Sequence, residues 1–302
     1  MKDVLVTALS KNQEVRVYAI RTTDLVEEAR NIHRLSPISC AALGRALSAS
    51  LIMGSLLKDD GASLTLQFRG DGPLRSIVAI SDTSGTCRGY VGNPEVVLYE
   101  ANATGHLPVG KALGHGSLTV IKDLHMKEPY ISTTQLVSGE IAEDLTYYFA
   151  SSEQTPTSVG LGVYFGSDMK VVAAGGFLLQ LLPGAKEKTI ALLEENLKKI
   201  SSVTDLLRKK DDPEVFFAAC FGEFEYEILQ KKEVAYRCNC SKQKTERALL
   251  SLGERGLQEL IADEKETKIH CEFCQKDYIF RKKRLVELQE SLRKSKNPSK
   301  NE

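Results

Sequence analysis

The chain has 302 residues, 42% hydrophobic and 26% charged, with 40 basic and 40 acidic side chains and a formal net charge of zero. Such a composition fits an ordinary folded protein of about two domains, and the balanced charge argues against a global field for nucleic acid or membrane. No run approaches the roughly twenty apolar residues of a membrane span, and Met1-Lys2-Asp3-Val4-Leu5 does not open a secretory signal.

Residues 4–9 and 15–20 read as a hairpin around Lys11-Asn12-Gln13. Thr22-Thr23-Asp24 offers side-chain oxygens for a helix start. Ser36-Pro37 opens a longer helix, with Ser as N-cap and Pro at the first helical position. From Ile38 to Leu56 that helix is apolar nearly all round, which marks it as buried. Its Gly44 and Gly54 would let neighbouring backbones approach closely. Leu64-Thr65-Leu66-Gln67-Phe68 alternates like a half-buried strand, Asp71-Gly72-Pro73 turns, and residues 74–80 return. Shorter strands are expected at 88–91, 117–121 and 130–135, and a helix from Ser138-Gly139-Glu140 through Phe149. A hairpin over 159–165 and 170–174 follows, with an apolar continuation over 177–182. Residues 1–183 therefore predict an α+β domain: a mixed, mainly antiparallel sheet with packed helices.

Pro183-Gly184 closes that domain, and residues 184–233 change character. Ile190, Leu193, Leu197 and Ile200 form one helical stripe. Ser202-Val203-Thr204-Asp205 resembles a capping box. Asp212-Pro213 starts another helix, carrying Val215, Phe216, Phe217 and Ala219. Short amphipathic helices are marginal alone in water, so this helical linker needs a surface to lie on. Residues 234–292 hold four cysteines, and 293–302 form a polar tail.

The four cysteines are Cys238-Asn239-Cys240 and, thirty residues on, Cys271-Glu272-Phe273-Cys274. Two close thiolate pairs fill the tetrahedral shell of one zinc ion and leave no position for a substrate water. The expectation is a closed metal site of Cys238, Cys240, Cys271 and Cys274 in a small C-terminal zinc-binding domain, with one Zn2+ per chain in the reduced state. A segment of some sixty residues buries only a thin core. Zinc binding in small modules contributes about 10–16 kcal/mol, so losing the metal should unfold the segment. Oxidation removes the ligands, because a disulfide sulfur is no longer a thiolate. His270, beside Cys271, points to the opposite face of an extended strand and reads as a strand-end histidine rather than a ligand. The other cysteines, Cys40, Cys87 and Cys220, are scattered, unlike a secreted disulfide scaffold. A reducing cytoplasm is the expected compartment. Cys220 is expected to be a small buried hydrophobe.

The C-x-C and C-x-x-C pairs combine with Arg69-Gly70-Asp71-Gly72-Pro73, Val137-Ser138-Gly139-Glu140, Ser151-Ser152-Glu153-Gln154 and Ala173-Ala174-Gly175-Gly176-Phe177. In these stretches the chain resembles, over almost its entire length, the redox-regulated molecular chaperones of the thirty-three-kilodalton heat-shock protein family, and it looks closest to the Gram-positive bacterial branch. The resemblance implies a holdase that is a poor chaperone when reduced and zinc-bound. Oxidation would form the disulfides Cys238–Cys240 and Cys271–Cys274, release zinc and unfold both the metal segment and the linker. The opened protein, a homodimer, would hold unfolding client proteins without ATP, then pass them to ATP-dependent chaperones on reduction. It would not be an enzyme.

Two other functions compete. Arg281-Lys282-Lys283-Arg284 begins a stretch to residue 302 with eight Lys and Arg against three Asp and Glu, as a zinc-ribbon nucleic-acid-binding protein would have. The neutral chain and the lack of interleaved aromatics favour instead a solvated helix face, with Leu285, Leu288 and Leu292 behind it. A thiol–disulfide oxidoreductase would need its C-x-x-C at a strand-to-helix junction, which this sequence does not supply. The glycines of Arg69-Gly70-Asp71-Gly72-Pro73 lack the Gly-Lys-Ser/Thr of a phosphate loop and read as a hairpin turn. Gly175-Gly176 reads as a bend or a close backbone approach. His33, His106, His115 and His125 show no ligand spacing.

Overall fold

The computed structural model describes residues 2–98, 107–263 and 265–296. His106 and positions 297–302 of the polar tail lie outside the described residues. Two compact units divide the chain, Met1–Arg237 and Cys238–Glu302.

In the first unit, β1 (Val4–Ser10) and β2 (Val15–Arg21) form the expected hairpin and lead into α1 (Thr23–His33) and α2 (Pro37–Gly54). Ser36 caps α2, its Oγ accepting from the Ser39 amide. Next come β3 (Ser63–Gly70), β4 (Ser76–Asp82), β5 (Thr86–Val91), the short α3 (Val109–Leu113), β6 (Gly116–Asp123) and β7 (Tyr130–Gln135). The Arg69-Gly70-Asp71-Gly72-Pro73 stretch is the β3–β4 connection, as a hairpin turn requires. After α4 (Ala142–Ser151) follow β8 (Thr157–Phe165) and β9 (Val171–Leu181). Three short helices, α5 (Glu187–Lys198), α6 (Val203–Lys210) and α7 (Val215–Phe221), precede β10 (Tyr226–Glu233) and β11 (Ala235–Tyr236).

The strands form two sheets. One has the order β10-β1-β2-β9-β8 and is antiparallel throughout; the other is β11-β5-β4-β3-β6-β7, in which only β11 and β5 run parallel. Helix α2 packs against strands of both. Against the expectation that no run approaches a membrane span, α2 is long and apolar enough by length and composition, yet 89% of that window is buried inside the protein, as its all-round apolar pattern requires. Close approach explains Gly44: a Cβ there would sit 2.7 Å from Val26 of α1 and 2.8 Å from Val163 of β8.

The five-stranded sheet is apolar on both faces. Leu5, Tyr18 and Ile20 point into the core around α2. Their neighbours Val6, Ala8, Val17 and Ala19, with Phe177 and Leu179 of β9, point the other way. That second face is covered by α5, α6 and α7 through Leu193, Leu207, Phe216, Phe217, Cys220 and Phe221. The linker helices thus find the surface their amphipathic pattern demands. Cys220 is wholly buried among them, and burial pushes its thiol well above the usual range. The bend expected at Gly175-Gly176 is a close backbone approach, since a Cβ on Gly176 would lie 2.0 Å from the Gly160 carbonyl oxygen.

Three details depart from the sequence pattern. Helix α4 begins at Ala142 rather than near Ser138, because the buried Asp144 carboxylate gathers the amides of Val137, Ser138, Gly139 and Ile141 into a loop before it. The helical character read across 184–233 ends at Phe221, and Tyr226–Glu233 is a strand on the edge of β1. Val234 and Tyr236 are buried in the core of the first unit, where the Tyr236 hydroxyl donates to the Gly89 carbonyl oxygen and lies 3.0 Å from His33 Nε2.

The second unit contains α8 (Lys242–Ser251), α9 (Gly253–Ala262), the hairpin β12 (Thr267–His270) and β13 (Asp277–Phe280), and α10 (Lys282–Lys296). Its core is small: Leu249, Leu257, Phe280, Leu285 and Leu288 are buried, with Ile269, Tyr278 and Leu292 packed around them. The leucine face expected of the C-terminal helix is therefore the buried one.

Candidate metal centre

The chain leaves the first unit through β11, where the Arg237 amide donates to the Cys87 carbonyl oxygen. Cys238 and Cys240 follow at once, and Ser241 then caps α8, its Oγ accepting from the Lys244 amide. The second pair sits in the tight connection between β12 and β13. There the Cys271 amide donates to the Lys276 carbonyl oxygen, and the Cys271 carbonyl oxygen accepts from Cys274 and Gln275. Gln275 takes a left-handed conformation at φ 58° to close the turn.

These local structures bring the four half-buried sulfurs Cys238 Sγ, Cys240 Sγ, Cys271 Sγ and Cys274 Sγ within 4.8 Å of one another. Across the two motifs the separations are 3.7 Å for Cys238–Cys271 and 3.3 Å for Cys240–Cys274. A tetrahedral ion with Zn–S bonds of about 2.3 Å sets its sulfurs about 3.8 Å apart, so the donor set and its spacing fit such an ion. The Tyr278 hydroxyl lies 3.0 Å from Cys240 Sγ. Burial pushes the Cys240 thiol up, but hydrogen bonds from Tyr278 and the neighbouring thiols outweigh it and bring the pKa down to about 7. Burial, with hydrogen bonding to the neighbouring sulfurs, pushes Cys238 up to about 12. The cluster favours anionic sulfur at Cys240 and neutral thiols at Cys238 and Cys274, a preference that a bound cation would override.

His270 stands apart from the sulfur cluster. Its Nδ1 lies 2.7 Å from Asp277 and its Nε2 3.0 Å from Gln275, and the Asp277 contact raises its pKa. Tyr278 was not among the expected site residues. Its signal was present: it shares the period-two face of β13 with the buried Phe280. The basic run is partly neutralised. Arg281 pairs with Glu266 at 3.0 Å, and Arg284 with Glu246 at 2.9 Å and Glu287 at 2.8 Å. That leaves less free positive charge for a polyanion than the sequence suggests.

Fold and site together define a class: an α+β protein whose small C-terminal unit is organised around four clustered cysteines. The family model described as Hsp33 protein matches residues 3–281. A 33 kDa chaperonin of Bacillus cytotoxicus is 45% identical over 293 residues, covering 97% of this chain and all of that protein, and one from Bacillus cereus is equally similar. The crystal structure of the 33 kDa chaperonin (heat shock protein 33 homolog) of Thermotoga maritima superimposes with a TM-score of 0.88 at 35% identity, over 96% of this chain and 99% of that one. The chain belongs to the Hsp33 family of chaperones.

Proposed function

We propose that this protein is a redox-regulated holdase, inactive while reduced and zinc-bound and activated by oxidation. The observation that carries the proposal is the second apolar face of the five-stranded sheet, covered by three short helices whose chain runs on into the four-cysteine unit. Cys238, Cys240, Cys271 and Cys274 would hold one Zn2+, which when bound supplies a tetrahedral cross-link to a unit with five buried apolar core residues among those described. Oxidation joins Cys238 to Cys240 and Cys271 to Cys274. In each bond two thiolates give two electrons to one peroxide, which takes up two protons and leaves as two waters. The resulting disulfide sulfurs no longer serve as thiolate ligands, and the second unit unfolds.

The loss of the second unit then propagates through β11, whose Val234 and Tyr236 are buried in the first unit, to the segment 184–233. Its helices leave the sheet, and Val6, Val17, Ala19, Phe177 and Leu179 become available beside Phe216, Phe217 and Phe221. Apolar segments of unfolding client proteins bind there without nucleotide, driven by the burial that held the linker. The oxidised protein acts as a cytoplasmic homodimer, and reduction restores the resting state and hands clients to ATP-dependent chaperones. No residue has a catalytic role. The test follows zinc release, thiol count and client light scattering in one sample treated with peroxide at raised temperature. All three should change together; zinc release with unchanged client aggregation would refute the switch.

A further inference from the structure

Strand β1 is bonded on one edge by β2 and on the other by β10. The two partners differ in chemistry. Across from Leu5, Val6 and Leu9 of β1, β10 presents Lys232, Lys231 and Glu227, and across from Ala8 and Ser10 it presents Ile228 and Tyr226. The ladder is also broken by a register shift between Thr7 and Ala8. Six of the eight residues of β10 are exposed, and its apolar burial is concentrated at Tyr226, which stacks on Phe221 at 4.8 Å. Its ends are held by exposed ion pairs, Lys2–Glu233 at 3.0 Å and Lys11–Glu225 at 2.7 Å, which contribute little. β10 sets charged residues against three of the apolar residues of β1, and it lies within the segment whose release the proposed function requires.

We infer that, once β10 leaves, β1 pairs antiparallel with β1 of a second copy of this chain about a two-fold axis at Thr7. Val4-Leu5-Val6-Thr7-Ala8-Leu9-Ser10 is self-complementary in that register. Leu5 meets Leu9 of the other copy, Val6 meets Ala8, and Thr7 meets Thr7. Parity is kept, so each residue stays on its own face of the sheet. β1 has no charge from Val4 to Ser10 and is bounded by Asp3 and Lys11, which the same register sets opposite each other. An uncovered apolar edge of this kind is a template for strand addition; Leu5–Leu9 pairs replace Leu5–Lys232 and Leu9–Glu227, while Val6–Ala8 pairs replace Val6–Lys231 and Ala8–Ile228. The four strands β1, β2, β9 and β8 of each copy become one continuous eight-stranded sheet. The two uncovered faces bearing Val6, Val17, Ala19, Phe177 and Leu179 join into a single client surface, which multiplies avidity for long unfolded segments.

This inference rests on the proposed opening, so the test measures both. The full-length Thr7→Cys protein is treated with peroxide, and zinc release and protease sensitivity of 184–233 are followed together with disulfide-linked peptides by mass spectrometry. Thr7 is buried and paired with Gln230 of β10 in the resting state. The peptide pair joined through position 7 of both copies should therefore be absent when the protein is reduced and abundant after opening. The second variant, Lys11→Glu, alters an exposed side chain and puts a carboxylate opposite Asp3. It should weaken the opened dimer about tenfold by sedimentation, even though it also loosens β10. Three results would each overturn the β1 pairing and leave the redox switch standing. They are opening without dimerisation, a dimer with no link at position 7 and indifferent to Lys11→Glu, and a link from position 7 to client in place of the second copy. Absence of zinc release and linker opening would overturn both.

Discussion

At Cys240 a tyrosine hydroxyl, and not only the sulfur cluster, sets the chemistry. Outer-shell donors of this kind orient a ligand, and their removal typically weakens metal binding by about 10–100-fold. Tyr278→Phe removes the 3.0 Å contact while keeping the ring packed in the small core. Zinc affinity, measured by competition with a chelator, should fall about tenfold or more with little change in the helical signal of the loaded protein. A second residue-scale effect concerns pH. The Arg30 guanidinium, with a further hydrogen bond from the Val171 amide, holds the Glu27 carboxyl at about 2 against the opposing effect of burial. The folded pKa is depressed, so the stabilisation is complete above the unfolded value of about 4.3 and is lost as pH falls through about 2. Glu27 is partly exposed, so its worth is discounted to about 2 kcal/mol. Glu27→Gln should remove that part of the acid dependence, seen as a flatter plot of urea midpoint against pH between about 4.5 and 2.

Among the elements, those with local signals were legible and those made by distant partners were not. Ser36-Pro37 and an all-round apolar run announced α2, and the stripe Ile190, Leu193, Leu197 announced α5, because capping and period are properties of contiguous residues. The cysteine centre was legible for the same reason: both pairs are spaced locally, and the hairpin needs only to bring them together. β10 was not, because Glu227 to Glu233 carry no strand pattern and become a strand only by pairing with β1 more than two hundred residues away. The contact that holds α6 was hidden too. Asp211, at its C-cap, accepts from Arg21 Nε at 2.6 Å, while the same buried guanidinium binds Asp3 and Asp24. Asp211→Asn leaves Arg21 two carboxylates but loosens the linker at one end. Because Asp211 is about half exposed, the loss is about 1 kcal/mol. Limited proteolysis of the reduced protein should cut within 184–224 about fivefold faster, with cleavage of β1 to β9 unchanged; equal rates would show that Arg21 does not fasten α6.

For the whole molecule, the two compact units differ in what holds them. The described residues of Met1–Arg237 form two apolar cores, one around α2 and one under the linker helices. Among the described residues of Cys238–Glu302 five apolar side chains are buried, close to the limit below which a domain needs a staple. Zinc binding worth about 10–16 kcal/mol would exceed the stability of an ordinary small domain. Stripping the metal from the reduced protein with a strong chelator should therefore unfold the second unit without any disulfide. Amide exchange should lose protection at Leu249, Leu257 and Phe280 while Val17, Ala19 and Leu66 keep theirs, and restoring zinc should return it. Heating the loaded protein should give two transitions, and only one after chelation, at the higher temperature. Protection retained at Leu257 after the metal is gone would mean that the small core folds unaided, and oxidation would then need a different route to open the chain.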